Sequence, residues 1–313
     1  MVSAPSGVPV HAPTSIDEVE RALRDRMYVA ERSLATVIFL SLKLQKPLFL
    51  EGEAGVGKTE IAKVLSDLLQ TPLIRLQCYE GLDVNAAVYE WNYSRQLLHI
   101  RLLEAAGEDS HEALQEIFGP EFLIRRPLLQ AIDESHERSP VLLIDEIDRA
   151  DEEFEAFLLE LLSDYQITVP ELGTLRANQP PVVIITSNRT REVHDALKRR
   201  CLYHWIDYPE FDKEYQIVTT KRPEISGELA RQACRFVQAL RRQELYKLPG
   251  VAETLDWASA LSALGATSLD ESIVVDTLGT LLKYQDDIQK IRGGNLGPLV
   301  EFAHAHTTIN GNG

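Results

Sequence analysis

The sequence predicts an α/β fold: a phosphate-binding core with a five-stranded parallel sheet between helices, followed by a small all-helical lid domain. Three observations predict it. Five short apolar runs, Leu48 to Leu50, Leu73 to Cys78, Val141 to Ile144, Val182 to Thr186 and Leu202 to Ile206, recur with helical patterns between them. Near-continuous hydrophobicity of this kind is what strands covered on both faces require. The stretch Gly52-Glu53-Ala54-Gly55-Val56-Gly57-Lys58-Thr59 fits G-x-x-x-x-G-K-T directly after the first run, with Ile61, Val64, Leu65 and Leu68 at helical spacing after it. Past Tyr208-Pro209 the strand signal stops, and Leu229, Ala233, Phe236, Val237 and Leu240 share a helical face.

In chain order, residues 1–14 carry Pro5, Pro9 and Pro13 among small residues and read as a disordered tail. Ser15-Ile16-Asp17-Glu18 reads as a capping box opening a helix, with Ile16, Val19 and Leu23 on one face. The phosphate-binding domain then runs to residue 209. It holds a long insert over about 79–126, with Trp91-Asn92-Tyr93 and a helical stretch from Leu97 to Ala106. A β-hairpin is expected over about 163–177, where Ile167-Thr168-Val169 and Thr174-Leu175-Arg176 flank Pro170-Glu171-Leu172-Gly173. Residues 210–292 form the lid, with further helices over Leu255 to Leu264 and Ile273 to Leu282. Residues 293–313, rich in Gly, Asn and Thr, read as a second disordered tail.

Composition narrows the partners. Of the 313 residues, 32 are basic and 48 acidic, giving a formal charge of −16. That weighs against nucleic acid, whose phosphate backbone is gripped by Lys and Arg. Cys78, Cys201 and Cys234 are far apart and form no C-x-x-C pair, so neither a zinc site nor a disulfide framework is indicated. The longest apolar run, Val37 to Leu50, is broken by Lys43, Gln45, Lys46 and Pro47, and no leader pattern opens the chain. No membrane span and a cytoplasmic location are therefore expected.

The motifs define a chemistry. Glycines let consecutive N–H groups turn inward around a polyphosphate, and the following helix N-terminus favours its charge. Lys58 is expected to reach the β and γ phosphates and Thr59 to ligate Mg²⁺. Val141-Leu142-Leu143-Ile144-Asp145-Glu146 buries a strand and delivers two carboxylates at its end. Asp145 is expected in the Mg²⁺ shell and Glu146 as the base that polarises the attacking water. The acids that follow, Asp148, Asp151, Glu152, Glu153 and Glu155, read as helix N-terminal decoration. Ile184-Ile185-Thr186-Ser187-Asn188 ends a buried strand in an amide, which either holds the attacking water or caps the next helix. Leu197-Lys198-Arg199-Arg200-Cys201 offers either cations for a γ phosphate or an exposed basic helix end.

Taken in this order, the motifs resemble an AAA+ ATPase. The insert and the hairpin resemble those of its MoxR branch. Leu50-Glu51-Gly52, Arg75-Leu76-Gln77 and Ser187-Asn188 fit that branch. Cys78-Tyr79-Glu80-Gly81-Leu82-Asp83, Tyr89-Glu90-Trp91-Asn92-Tyr93 and Ala196-Leu197-Lys198-Arg199-Arg200-Cys201 are similar to the CoxD-like subgroup associated with maturing carbon monoxide dehydrogenase. The resemblance spans about residues 20 to 292. It implies that Gly52, Glu53, Ala54, Gly55, Val56, Gly57, Lys58, Thr59 and Glu60 hold ATP and Mg²⁺. Asp145 and Glu146 then correspond to the Walker B pair, Asn188 to sensor 1, and Arg199 or Arg200 to an arginine finger. Tyr28 and Val29 match the segment where adenine packs.

A finger that acts on the neighbouring subunit implies a ring, usually a hexamer. The function implied is ATP-driven remodelling of a client, plausibly a molybdenum-containing metalloenzyme awaiting its metal or cofactor, with a von Willebrand factor A domain protein as a second partner. The alternative is a nucleotide-gated scaffold with little turnover. One departure stands out: Thr254-Leu255-Asp256-Trp257 opens a lid helix where many relatives place a sensor 2 arginine. Trp91 and Tyr93 are either client-gripping or packed within the insert, and His304-Ala305-His306 reads as part of the solvated tail.

Overall fold

The computed structural model describes residues 12–106, 117–170 and 172–305. They divide into two compact units. The first takes in the described part of Met1–Ala22 with Glu31–Glu51 and Lys58–Trp205; the second takes in Leu23–Ala30, Gly52–Gly57 and the described part of Ile206–Gly313.

Among the described residues nine strands form in chain order: β1 (Leu48–Gly52), β2 (Leu73–Gln77), β3 (Tyr89–Trp91), β4 (Leu123–Arg125), β5 (Val141–Asp145), β6 (Gln166–Val169), β7 (Gly173–Arg176), β8 (Val182–Ser187) and β9 (Leu202–Ile206). The five expected from the apolar runs make one parallel sheet in the order β2-β5-β8-β1-β9. Every residue of β1 and β5 is buried, as strands covered on both faces must be. Leu48 to Glu51 pair with Ile184 to Ser187, and Leu73 to Gln77 with Val141 to Asp145. The chain leaves β1 toward β2, works back through β5 and β8, and crosses β1 to reach β9. That reversal at β1 is where parallel sheets open a ligand crevice at their carboxyl ends.

The first unit's helices are α1 (Ile16–Asp25, which begins there), α2 (Arg32–Leu44), α3 (Lys58–Leu69), α4 (Val84–Val88), α5 (Tyr93–Ala106), α6 (Pro127–Ala131), α7 (Glu152–Asp164) and α8 (Asp195–Arg200). The α1 cap forms, with Ser15 Oγ accepting from the Glu18 amide at 3.2 Å. In the insert, β3 pairs antiparallel with β4, and Trp91 is buried with its ring edge-on to Phe118 at 5.4 Å. Tyr93 by contrast is exposed, together with Leu97, Leu98 and Leu102 of α5. The hairpin forms from β6 and β7, with Val169 opposite Gly173.

The second unit packs α9 (Phe211–Lys221), α10 (Gly227–Leu240), α11 (Val251–Ala263), α12 (Glu271–Leu281), α13 (Gln285–Lys290) and α14 (Leu296–His304) around Phe236 and Trp257. Its last helix corrects the expectation of a disordered tail from residue 293. Leu296, Leu299, Val300 and Ala303 fall on one helical stripe and are buried in the lid core, and His304 Nε2 lies 2.6 Å from the Leu269 carbonyl. His306 and the remainder of that expected tail lie outside the described residues, as do residues 1–11 of the first. Among the described residues no helix is long and apolar enough to cross a membrane.

Glu214, wholly buried, ties the lid together. Its oxygens accept from Arg241 Nη1 and Nη2 at 2.8 and 2.7 Å, from Gln238 Nε2 at 2.7 Å and from Thr254 Oγ1 at 2.8 Å. Arg241→Met strands that charge and should cost about 3–5 kcal/mol in urea unfolding, whereas adding Glu214→Leu should recover more than half of the loss. A double variant no more stable than the single one would refute this account.

Candidate functional site

The segment Gly52–Gly57 turns tightly at the end of β1. A Cβ on Gly52 would sit 2.0 Å from the Ile206 carbonyl oxygen, so no other residue fits there. Gly57 has φ +93°, a left-handed value that disfavours a side chain, and faces the ring of Tyr28, 3.9 Å from where its Cβ would be. Tyr28 therefore flanks the loop, with half-buried Val29 next to it in the chain. The Gly55 carbonyl accepts from the Ala252 amide of α11 at 3.1 Å. Because a trans peptide points C=O and N–H in opposite directions, this bond turns the Val56 N–H away from the Ala252 amide. Glu53 is exposed, and Ala54 and Val56 are half-buried.

Helix α3 follows without a break and starts with Lys58, which is buried. Thr59 Oγ1 lies 3.1 Å from Asp145 Oδ1 and 3.3 Å from Oδ2. Two oxygens on adjacent corners of an octahedral Mg²⁺ shell stand about 2.9 Å apart, given metal–oxygen distances of 2.0–2.1 Å. The pair thus fits Mg²⁺, held as usual by few protein ligands plus substrate phosphate. Asp145 is further fixed by Thr186 Oγ1 at 2.5 Å and by Arg75 Nε and Nη2 at 3.1 and 2.5 Å. Glu60, next in α3, pairs with Lys63 at 3.4 Å.

Glu146 has left-handed backbone angles, φ 57° and ψ 52°, costly for a residue with a side chain and concentrated at functional sites. Its amide donates to Thr186 Oγ1 at 3.0 Å, and its carboxylate lies 3.0 Å from Arg149 Nε. The Thr186 hydroxyl thereby sets both carboxylates, accepting from one residue's amide and donating to the other's side chain. Asn188 follows β8 and is half-buried; its amide donates to Asp148 Oδ1 at 3.1 Å.

The arginine pair ends α8. Arg199 is exposed, and no side-chain hydrogen bond or ion pair holds it among the described residues, whereas Arg200 Nη1 donates to the Leu159 carbonyl of α7. Lys198 beside them is drawn inward to Glu51 at 3.3 Å, and Tyr203 donates to the same carboxylate at 2.9 Å.

Two acids read from sequence as surface decoration are misplaced by that reading. Asp148 is 3% exposed and Glu155 is 1% exposed. Asp151 does cap α7, accepting from the Phe154 amide at 2.9 Å, and Glu152 and Glu153 are exposed. The signal was available for Glu155, three and seven residues before the apolar Leu158 and Leu162 and so on the buried stripe of α7. Burial pushes the Asp148 carboxyl upward, but hydrogen bonds from the Thr190 hydroxyl and amide and the Asn188 amide outweigh it and hold the group below its usual range. Burial, reinforced by Asp145 and Asp148, pushes the Cys78 thiol up to about 12, so it is no nucleophile near neutrality. The lid's first turn at α11 carries Glu253 and buried Thr254 in place of an arginine, and Trp257 packs the lid, its indole donating to Thr277 at 2.8 Å.

Residues 47–201 match the family model described as the AAA domain of the dynein-related subfamily. That span carries the loop, the Asp145–Glu146 pair, Asn188 and both arginines. A Staphylococcus epidermidis protein described only as uncharacterized is 26% identical over 206 residues, 64% of this chain and 70% of its own length. A Staphylococcus aureus protein, likewise uncharacterized, is 28% identical over 176 residues, 54% of this chain and 58% of its own length. The Thermotoga maritima RuvB Holliday junction branch migration motor has 18% identity, covering 86% of this chain and 72% of that chain, with a TM-score of 0.46. The last likeness is too loose to carry an argument. The matched span is an AAA domain.

The Asp148 carboxyl yields a pH signature. Its folded value lies below the unfolded ~3.9, so its stabilisation is present above about pH 4 and is lost as pH falls through the folded value. Thermal melts should show the wild type above Asp148→Asn near neutrality, with the gap closing below about pH 4. Parallel pH profiles for the two proteins would show that the ionised form contributes nothing.

Proposed function

We propose that the chain works as a MoxR-type remodelling ATPase: it assembles into a ring, hydrolyses ATP between subunits, and uses the cycle to alter a client protein, a molybdenum-containing metalloenzyme awaiting its cofactor. The observation that carries the hydrolytic half is Thr59 Oγ1 set 3.1 Å from Asp145 Oδ1 with Glu146 next in the chain. In this reading the amides of Gly52–Gly57 and the Lys58 ammonium hold the phosphates, and Tyr28 with Val29 flanks the base. Thr59 and Asp145 would hold Mg²⁺, which when bound would neutralise phosphate charge. Glu146 takes the proton of the attacking water, a role supplying about 10²–10⁴ in rate. Asn188 orients that water from the end of β8.

Arg199 serves as the finger in preference to Arg200, because Arg200 is engaged with the Leu159 carbonyl of its own subunit. A cation so delivered is worth about 10³–10⁵ in rate. The remodelling half is supported by the exposed apolar side chains of Tyr93, Leu97, Leu98 and Leu102 of α5 in the insert, which suit an unfolded or partly folded client segment. A von Willebrand factor A domain partner belongs to the same reading through the MoxR resemblance.

Glu146→Gln should lower kcat by about a hundredfold or more while ATP affinity stays within about threefold, and Lys58→Ala should lose ATP binding itself. Arg199→Ala should cost more than Arg200→Ala in turnover. Undiminished hydrolysis by the Gln variant sinks the assigned base. Mass photometry showing monomers at saturating ATP sinks the ring. ATP-dependent activation of a cofactor-free molybdenum hydroxylase by the wild type, absent with Glu146→Gln, is the outcome expected for the client.

A further inference from the structure

The segment that joins Asn188 to the arginine helix hangs from two buried carboxylates. Asp148 Oδ1 accepts from the Asn188 amide at 3.1 Å, and its Oδ2 accepts from the Thr190 amide at 2.8 Å and the Thr190 hydroxyl at 2.6 Å. Seven residues on, Glu155 Oε2 accepts from the His194 amide at 2.8 Å, and its Oε1 pairs with Arg191. Arg191 also donates through Nε to the Ala150 carbonyl at 3.1 Å. His194 then caps α8, its Nδ1 accepting from the Ala196 amide at 3.1 Å. At the other end of α8, Arg200 reaches the Leu159 carbonyl, on α7 one turn beyond Glu155.

Buried carboxylates are a weak means of gaining stability, since desolvation offsets most of the attraction. What these two do is geometric. Each directs at least one oxygen to backbone N–H groups of one short segment, and so fixes that segment near the strand end at Asp145, three residues upstream of Asp148. The contacts are partitioned. Asp148 touches only the Asn188 to Thr190 part, and Glu155 only the Arg191 to His194 part that launches α8.

We infer that Asp148 and Glu155 are positioning residues with separate duties: Asp148 sets Asn188 for the ATP site of its own subunit, and Glu155, through Arg191 and His194, sets the arginine helix that serves the adjacent subunit. This rests on the ring proposed above. The same protein stretch, from 188 to 200, then carries two outputs held by two anchors. A general structural role would weaken both outputs together.

The test separates the two outputs by subunit mixing. Asp148→Asn and Glu155→Gln are near-isosteric and remove half of each anchor's accepting capacity. Alone, each should lower kcat at least tenfold with KM for ATP within about threefold, the pattern of lost transition-state positioning. Coexpressed in equal amounts, they should complement: a Glu155→Gln subunit has a sound site, an Asp148→Asn subunit a sound finger, and random rings should recover about a quarter of wild-type turnover. A control pair, Glu146→Gln with the double variant Arg199→Ala and Arg200→Ala, should complement likewise. Complementation by the control pair but not by the carboxylate variants overturns the division of duties and leaves the ring standing. Failure of the control pair overturns the ring and the division with it. Should either amide variant fail to fold, Thr190→Val and Arg191→Met remove the partners instead and are held to the same outcomes.

Discussion

The Asp145 carboxylate is the contact on which the rest of the site depends. The sheet order puts β5 between β2 and β8, so the end of β5 is reached by Arg75 from one side and Thr186 from the other, while α3 presents Thr59. Register makes this possible: Leu76 and Gln77 lie opposite Ile144 and Asp145, which brings Arg75 within reach of the strand end. With these donors in place, the carboxylate is held in one orientation. In the proposed function that preorganisation suits Mg²⁺, because the ion tolerates little departure from octahedral angles.

A chain with a formal charge of −16 still neutralises four of its buried acids locally. Glu51 has Lys198, Asp145 has Arg75, Glu155 has Arg191 and Glu214 has Arg241. The Coulomb gain of such pairs is largely cancelled by desolvation, so their effect is better sought in geometry than in stability. Glu51 illustrates it. The residue just before the loop accepts from Lys198 of α8 and Tyr203 of β9, which fixes the end of β1 relative to the helix carrying the arginines. Lys198 and Arg199 are neighbours in sequence with opposite fates, one drawn inward as a strut and the other left exposed.

The parts legible in the sequence are those whose cause is local. A strand covered on both faces needs an unbroken apolar run, and a phosphate loop needs its glycines and Lys-Thr at fixed spacing, so the five strands and the loop were readable directly. The last helix was not, because Gly293-Gly294-Asn295 dominates the composition and masks the stripe that starts at Leu296. Asp148 and Glu155 were misread for a different reason. An acid near a helix start is favourable when exposed, and only the tertiary arrival of residues 188–194 makes these two buried acceptors. The aromatic pair of the insert divides along the same line: alternation along a strand sends Trp91 inward, while Tyr93, at the start of α5, faces outward.

The missing lid arginine has a structural counterpart in the second unit. At the start of α11 the Ala252 amide bonds the Gly55 carbonyl, and Glu253 turns back to accept from the Gly250 amide at 2.9 Å. An arginine at this position would respond to phosphate charge directly. A backbone amide responds to the orientation of the Gly55–Val56 peptide, which changes only if the loop itself rearranges. The bond is worth about 0.5–1.5 kcal/mol, well below a charge-assisted contact to phosphate. Helix α11 is thus tied to the shape of the loop, with Glu253 at the capping position beside Gly55.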